Sequence, residues 1–343
     1  GAMTEIKESA MLERAMGALL GGALGDALGM PTQLLSPAEI RATYGFVDRF
    51  IAPSSDHPVS QGLPAGSITD DTEQTLLLGR ILLESGASFD HKRWVGALLE
   101  WERDVKARGS YDLLGPSTKR AIDAINRGVP PEEAGKGGDT NGAAMRIAPV
   151  GILMPPEPLD ALVEKVAETC LTTHNSATAI AAAAAVAATV SHGVAGESWR
   201  EACEYGAAAA RRAANFGHDA ADIGACIERA RQLVRGKPQA DAIDLIVNEV
   251  GTSVASRESV PAAFAVLEVA EGDPWLAAVI GANLGNDTDT IAAIAAGMAG
   301  ACAGLSALPK ERIAELKGID LDAVRRFAGD LVSARLAAMG AAL

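Results

Sequence analysis

Apolar residues recur at helical spacing along most of this chain, as in Leu76-Leu77-Leu78-x-x-Ile81-Leu82-Leu83, and the alternating β-branched runs that mark strands are nearly absent. Ala and Leu dominate and aromatic residues are 4% of the whole, so helix is the expected state almost throughout. The pattern predicts helices over Met11–Leu28, Asp71–Ser85, Asp90–Arg108, Gly115–Arg127, Ala143–Leu153, Leu159–Leu171, Ala177–Ser191 and Trp199–Asn215. It continues with Asp219–Val234, Asp241–Val250, Val260–Ala270, Pro274–Leu284, Thr288–Leu305, Pro309–Lys317 and Asp320–Met339. The predicted class is all-α, with little or no sheet.

Several glycines interrupt apolar helical stretches: Gly17, Gly21, Gly22, Gly25, Gly297 and Gly300. Glycine inside a helix costs about 1 kcal/mol against Ala, so these helices are expected to approach a neighbour or a ligand closely and to form the centre of the bundle. Two long irregular stretches, Met30–Ser67 and Gly128–Asn141, are loops of a length that usually serves function. The length fits one large domain or two small ones, and no shift in composition marks a linker.

Hydrophobic residues at 48% and charged residues at 22% describe a globular chain with ample core. The net charge of −14, from 44 acidic and 30 basic residues, repels a phosphate backbone, and nucleic acid is not an expected partner. Cys170, Cys203, Cys226 and Cys302 are widely spaced in helical patterns and read as reduced thiols. The longest apolar run, Ala177–Val190, is shorter than the roughly 20 residues a membrane crossing needs, and no membrane partner is expected. Without a signal peptide the expected location is cytoplasmic; Gly1-Ala2-Met3 reads as the remnant of a cleaved tag.

The chemistry concentrates in two clusters. Thr69-Asp70-Asp71-Thr72 stands directly before a helix, and taken alone it is a helix cap, with Asp70 and Glu73 as a capping box. Asn286-Asp287-Thr288-Asp289-Thr290 repeats the arrangement before Ile291, and one cap does not need two carboxylates and two hydroxyls in five positions. Carboxylates at i and i+2 converge in an extended turn, a geometry suited to oxygen ligation of a cation. If the clusters meet, Asp70, Asp71, Asp287 and Asp289 require a compensating positive charge, and no Lys or Arg adjoins either cluster. Mg²⁺, Mn²⁺ or Ca²⁺ would supply it.

Two phosphate motifs fail. Gly135-Lys136 lacks the Ser or Thr of a P-loop and has Pro130 in place of its leading glycine, and Gly21-Gly22-Ala23-Leu24-Gly25-Asp26 follows no strand. His174, one of five histidines, precedes an Ala-rich helix for which Asn175 is a good N-cap, and a core or capping role is its commoner reading.

In order along nearly the whole chain, Gly21-Gly22-Ala23-Leu24-Gly25-Asp26-Ala27-Leu28-Gly29, Thr69-Asp70-Asp71-Thr72, Asn141-Gly142-Ala143-Ala144-Met145-Arg146, Thr173-His174 and Asp287-Thr288-Asp289-Thr290 resemble the ADP-ribosylglycohydrolases. The resemblance implies one domain over residues 4–343, an orthogonal all-α bundle around a binuclear Mg²⁺ or Mn²⁺ centre. It implies metal ligation by Thr69, Asp70, Asp71, Asp287, Asp289 and Thr290, with Asp70, Asp71 and Asp289 as catalytic carboxylates. It further implies substrate contacts from Asp26, Gln33, Met145 and His174, and from Gly137, Gly138, Asp139, Thr140 and Asn141 against the phosphates and distal ribose. A glycine-rich loop running into a helix agrees with this, since such loops offer N–H groups to an anion.

Three positions depart from the family pattern. Gln33 stands where a Glu is common and cannot act as a base, Gly285-Asn286 replaces Gly-Gly, and Asp139 sets a negative charge against a pyrophosphate unless it turns away. The leading reading is metal-dependent removal of ADP-ribose from a modified side chain or small conjugate. A free riboside or nucleoside as substrate is the alternative, since it lacks the pyrophosphate, and a non-catalytic ADP-ribose binder is the third.

Overall fold

The computed structural model describes residues 2–109, 114–216 and 222–341. Eighteen α-helices account for nearly all regular structure among them, and only isolated bridges pair in the manner of strands. They are α1 (Ala2–Gly29), α2 (Pro37–Tyr44), α3 (Asp70–Glu84), α4 (His91–Ala107), α5 (Pro116–Asn126) and α6 (Pro131–Ala134). Next come α7 (Gly142–Met145), α8 (Ala148–Leu153), α9 (Leu159–Cys170), α10 (Ala177–Val194), α11 (Trp199–Ala213) and α12 (Ile223–Val234). The last are α13 (Gln239–Leu245), α14 (Ser256–Val269), α15 (Pro274–Ala282), α16 (Thr288–Ala303), α17 (Lys310–Glu315) and α18 (Leu321–Ala341).

The interior glycines explain how the centre is built. Gly17, Gly21, Gly25 and Gly29 recur every fourth residue on one stripe of α1, and each faces a backbone carbonyl of α16. The partners run antiparallel, Gly17 on Gly300, Gly21 on Ala296, Gly25 on Ala292 and Gly29 on Thr288. A methyl group on Gly21 would stand 2.5 Å from the Ala296 oxygen, and the other three fare no better. Backbone-to-backbone approach of this kind is open only to glycine. It locks the end of α1 beside the start of α16.

Next to this pair lies α10, whose 18 residues are buried from end to end. It is long and apolar enough to cross a membrane, but it is wrapped by α8, α9, α11, α14 and α16 and serves as a core helix. Arg335 ties α18 to the middle of the bundle, donating to the Met154 carbonyl at 2.9 Å and the Ser191 carbonyl at 2.9 Å. All four cysteines are free thiols, as expected.

The sequence pattern and the structure differ in several places: α1 begins at Ala2 rather than Met11, α6 lies in the predicted loop Gly128–Asn141, and the N-cap of α10 is Ser176 rather than Asn175. The predicted helix Ala143–Leu153 is two helices, α7 and α8, because Pro149 in the first turn of α8 has no N–H to continue the ladder from Met145. Helix α14 begins at Ser256 rather than Val260, with Pro261 inside it. Helix α2 was hidden in the predicted loop Met30–Ser67, although Ser36 and Glu39 form a complete capping box. The predicted start at Asp219 lies outside the described residues; α12 is capped by Asp222.

Candidate metal centre and active site

Three helices meet at one point. The glycine contact sets Asp26 of α1 beside Asp289 in the first turn of α16, and α3 enters with its N-terminus toward both. One carboxylate oxygen from each of Asp26, Asp71 and Asp289 lies within 4.8 Å of the other two, and all three residues are buried.

The two helix N-termini are finished differently. On α3, Thr69 is the N-cap and its hydroxyl oxygen accepts from the Asp71 N–H at 3.4 Å. The Asp26 carboxylate accepts from the Thr69 N–H (2.8 Å) and the Thr72 N–H (3.2 Å). It also takes both threonine hydroxyls at 2.6 Å, so the carboxyl sits at the positive end of α3. The capping box expected of Asp70 and Glu73 does not form, since Glu73 accepts from Trp101 Nε1 and from Arg108, each at 2.9 Å. On α16, Asp287 occupies the N-cap position without capping. Its Oδ2 accepts from Asn141 Nδ2 at 2.6 Å. Thr290 donates to Asp71 Oδ2 at 2.7 Å and joins the two termini, while Thr288 donates to the Gly29 carbonyl.

Electrostatics make the cluster unusual. Burial pushes the Asp26 carboxyl up to about 8 and Asp71 up to about 6, and holds Asp70 and Asp289 well above the ordinary carboxylate range; Asp287 is raised as well. Repulsion from neighbouring carboxylates adds to burial for Asp26, Asp70, Asp71 and Asp289. Acceptors outnumber protons: the single Thr69 hydroxyl hydrogen faces Asp26 Oδ1 at 2.6 Å, Asp71 Oδ1 at 3.1 Å and Asp289 Oδ2 at 3.5 Å. Asp289 Oδ1 is buried with no hydrogen-bond partner. An all-oxygen donor set with an orphaned carboxylate oxygen fits a hard divalent cation such as Mg²⁺ or Mn²⁺.

A cleft of about 210 Å³ opens onto the cluster. Asp70, Asp71, Asp287, Asp289 and Thr290 line it, as do Gln33, Asn141 and Met145. Gln33 donates to Ser60 Oγ at 2.7 Å. Leu34 beside it is half-exposed at φ +65°, held there by donating to the carbonyl of Asn286, itself at φ +56°. Asn tolerates this left-handed region, which is how the Gly-Asn departure is accommodated. No Lys, Arg or His stands among the described lining residues.

Other predicted contacts lie elsewhere. Asp26 does not line the cleft; it is the anchor of α3 within the cluster. The loop Gly137–Asn141 is folded against the chain: Gly137 N–H donates to Asn175, Gly138 N–H to Gly135, Thr140 N–H to Ser117 Oγ and Asn141 N–H to Val254. Those four N–H groups are therefore not free for an anion, contrary to the sequence reading. Asp139 is exposed and does turn away. His174 is fully buried behind the cleft floor, its Nδ1 2.7 Å from Thr173 Oγ1 and its Nε2 3.3 Å from Thr140 Oγ1. Burial and the nearby Arg146 hold its imidazole well below the usual range, hence neutral, and it braces Thr140 and Gly142. Sequence reasoning passed over Gln74 and Thr118, which also line the cleft; Gln74 was findable, because it lies four residues beyond Asp70 on the same helix face.

Against known families, the profile described as ADP-ribosylglycohydrolase matches residues 7–339. The chain belongs to the ADP-ribosylglycohydrolase family. It is 36% identical to the uncharacterised protein YegU of Escherichia coli (strain K12) over 94% of this chain and 97% of that one. The ADP-ribosylarginine hydrolase Tri1 of Pseudomonas putida (strain GB-1) is 27% identical over 88% of this chain and 73% of that one. A solved structure titled ADP-ribosylglycohydrolase-related protein complex superposes with a TM-score of 0.70 at 26% identity, covering 95% of this chain and 99% of that one. The glycohydrolase family thus shares this all-α arrangement across nearly the full length.

Proposed function

We infer that this protein hydrolyses the bond between the anomeric carbon of a ribose and its leaving group, that it requires two divalent cations, Mg²⁺ or Mn²⁺, and that ADP-ribosyl conjugates are its substrates. The observation that carries this reading is the buried cluster in which Asp71 and Asp289, both lining the cleft, come within 4.8 Å of each other and of Asp26, with Asp289 Oδ1 left unpartnered. Membership in the family supports the ADP-ribosyl substrate, as does the likeness to a hydrolase named for ADP-ribosylarginine.

Asp71, Asp289, Asp70, Asp287, Thr69 and Thr290 would hold the cations, with Asn141 fixing the Asp287 carboxylate and Asp26 fixing Thr69. Cations held by these residues would supply Lewis acidity toward a water molecule. The chain supplies the rest. Asp70 or Asp71 takes the proton of the attacking water. The surrounding carboxylates stabilise the positive charge that develops on the ribose as its bond to the leaving group breaks. Met145 and Asn141 shape the floor.

A riboside without a pyrophosphate is the second reading, and two observations favour it: the internally bonded loop N–H groups and the absence of cationic side chains from the described cleft lining. Both readings are separated by incubating the Mg²⁺- or Mn²⁺-loaded protein with ADP-ribosyl-arginine, ADP-ribosyl-serine, O-acetyl-ADP-ribose and nucleosides, with and without EDTA, and identifying products by mass spectrometry. EDTA-sensitive release of ADP-ribose is expected. Free ribose and base from a nucleoside would instead establish the second reading, and absence of turnover by cation-loaded protein would favour a binder.

A further inference from the structure

Gln74 is 1% exposed and lines the cleft, yet its Nε2 has no hydrogen-bond partner. Native proteins rarely leave a buried amide N–H₂ without an acceptor, and exceptions ask for an explanation. The orientation of this amide is fixed. Its Oε1 accepts from Arg146 Nη1 at 2.6 Å, and a guanidinium has only donors, so turning the amide over would set N–H against N–H.

Arg146 is itself immobilised. It is 1% exposed, donates to Thr173 Oγ1 at 2.5 Å and stacks on the Trp94 ring at 5.2 Å. Its Nη1 also reaches Thr118 Oγ1 at 3.3 Å. One buried guanidinium therefore draws the acceptor atoms of two cleft side chains toward itself and leaves the Gln74 hydrogens for whatever enters the cleft. In a cavity otherwise rich in carboxylate acceptors, this is a donor placed one helical turn beyond Asp70.

We propose that Gln74 is a specificity-determining substrate contact whose Nε2 donates to an oxygen acceptor of the bound glycoside. The proposal rests on the reading of the cleft as a glycoside site. Two oxygens share the required chemistry, a phosphate oxygen of an ADP-ribosyl group and a hydroxyl or ring oxygen of the ribose. A donor-only group such as a guanidinium cannot satisfy this position, so the guanidinium of an arginine conjugate has to lie elsewhere in the cleft.

Gln74→Glu separates recognition from folding: it keeps an oxygen for Arg146, adds an opposite charge beside it, and replaces only the cleft-side donor. Gln74→Met removes the donor without adding charge. ADP-ribose and ribose are titrated by calorimetry into the Mg²⁺-loaded wild type and both variants, with melting temperatures recorded alongside. Gln74→Glu is expected to melt no lower than wild type, and both variants are expected to bind at least about tenfold more weakly. Weakening toward ADP-ribose alone assigns the phosphate oxygen, and weakening toward both probes assigns the ribose. The Gln74 side-chain ¹H–¹⁵N signals, identified by their absence in Gln74→Glu, should shift when ADP-ribose is added to wild type. Binding within twofold in both variants, with those signals unmoved, overturns the assignment alone. Wild type that binds neither probe contradicts the proposed function and the assignment together.

Discussion

The N-termini of α3 and α16 carry nearly the same residues, Thr-Asp-Asp-Thr before one and Asp-Thr-Asp-Thr before the other, and they end in opposite states. At α3 the orphan N–H groups are met by Thr69 and by a carboxylate from another helix, and Asp26 has both oxygens occupied by donors. At α16 the acidic residues do no capping: Asp287 is held by Asn141, and Asp289 keeps a buried oxygen free. Asp26 is thus an anchor, while Asp289 keeps an open oxygen, though they lie in the same cluster. Equal sequence patterns yield unequal chemistry because the donors come from distant elements.

Removing each carboxylate in turn separates the two roles. Asp289→Ala should abolish turnover, a loss of at least about a thousandfold, because it removes a proposed ligand of the cations on which the proposed reaction depends. In EDTA the same variant should melt no lower than wild type, since it deletes a buried, repelled carboxylate. Asp26→Ala should cost about 3 kcal/mol or more even in EDTA, because it strands the donors of Thr69 and Thr72. Equal melting of the two variants in EDTA would erase the distinction between anchor and ligand.

The scaffold comes next in size. Gly21→Ala forces a methyl against the Ala296 carbonyl and should destabilise by about 1–3 kcal/mol, whereas Gly96→Ala on α4, with open space around it, should be neutral or slightly stabilising. Chemical denaturation of the pair measures this.

A smaller effect concerns pH. The carboxyls of Asp26 and Asp71 are raised to about 8 and about 6 in the folded, cation-free chain, above the ordinary value near 4 of the unfolded chain. The folded state binds more protons between those limits, so stability is full below about pH 4 as far as these groups are concerned, and falls as pH rises through 6 and then 8. Melting in EDTA should therefore drop between pH 5 and pH 8.5, and Mg²⁺ should flatten the slope. The smallest effect is Asn286→Gly, expected to change stability by no more than about 0.5 kcal/mol because Asn286 already adopts the left-handed conformation glycine prefers.

Much of this was legible in the sequence. Helical spacing located most elements, and the misplaced glycines of α1 and α16 announced the close pair. The boundary errors have local causes, Pro149 and Pro261, and a capping box at Ser36 that was passed over inside a long loop. What one sequence does not carry is which donor meets which acceptor. The anchoring of Thr69 by Asp26 spans 43 residues and is invisible along the chain. The loop Gly137–Asn141 has the sequence of an anion cradle, and the partners Asn175, Ser117 and Val254 that engage three of its N–H groups are also distant in sequence. Gln74 escaped notice because an amide on a helix face is ordinary until Arg146 fixes its direction.

If these carboxylates converge to hold cations, titration of EDTA-stripped protein with Mn²⁺ will reveal it. Saturable binding of two ions per chain, accompanied by a rise in melting temperature that Asp289→Ala loses, is the expected result. A wild-type chain that takes up no Mn²⁺ and melts unchanged in its presence would contradict the account.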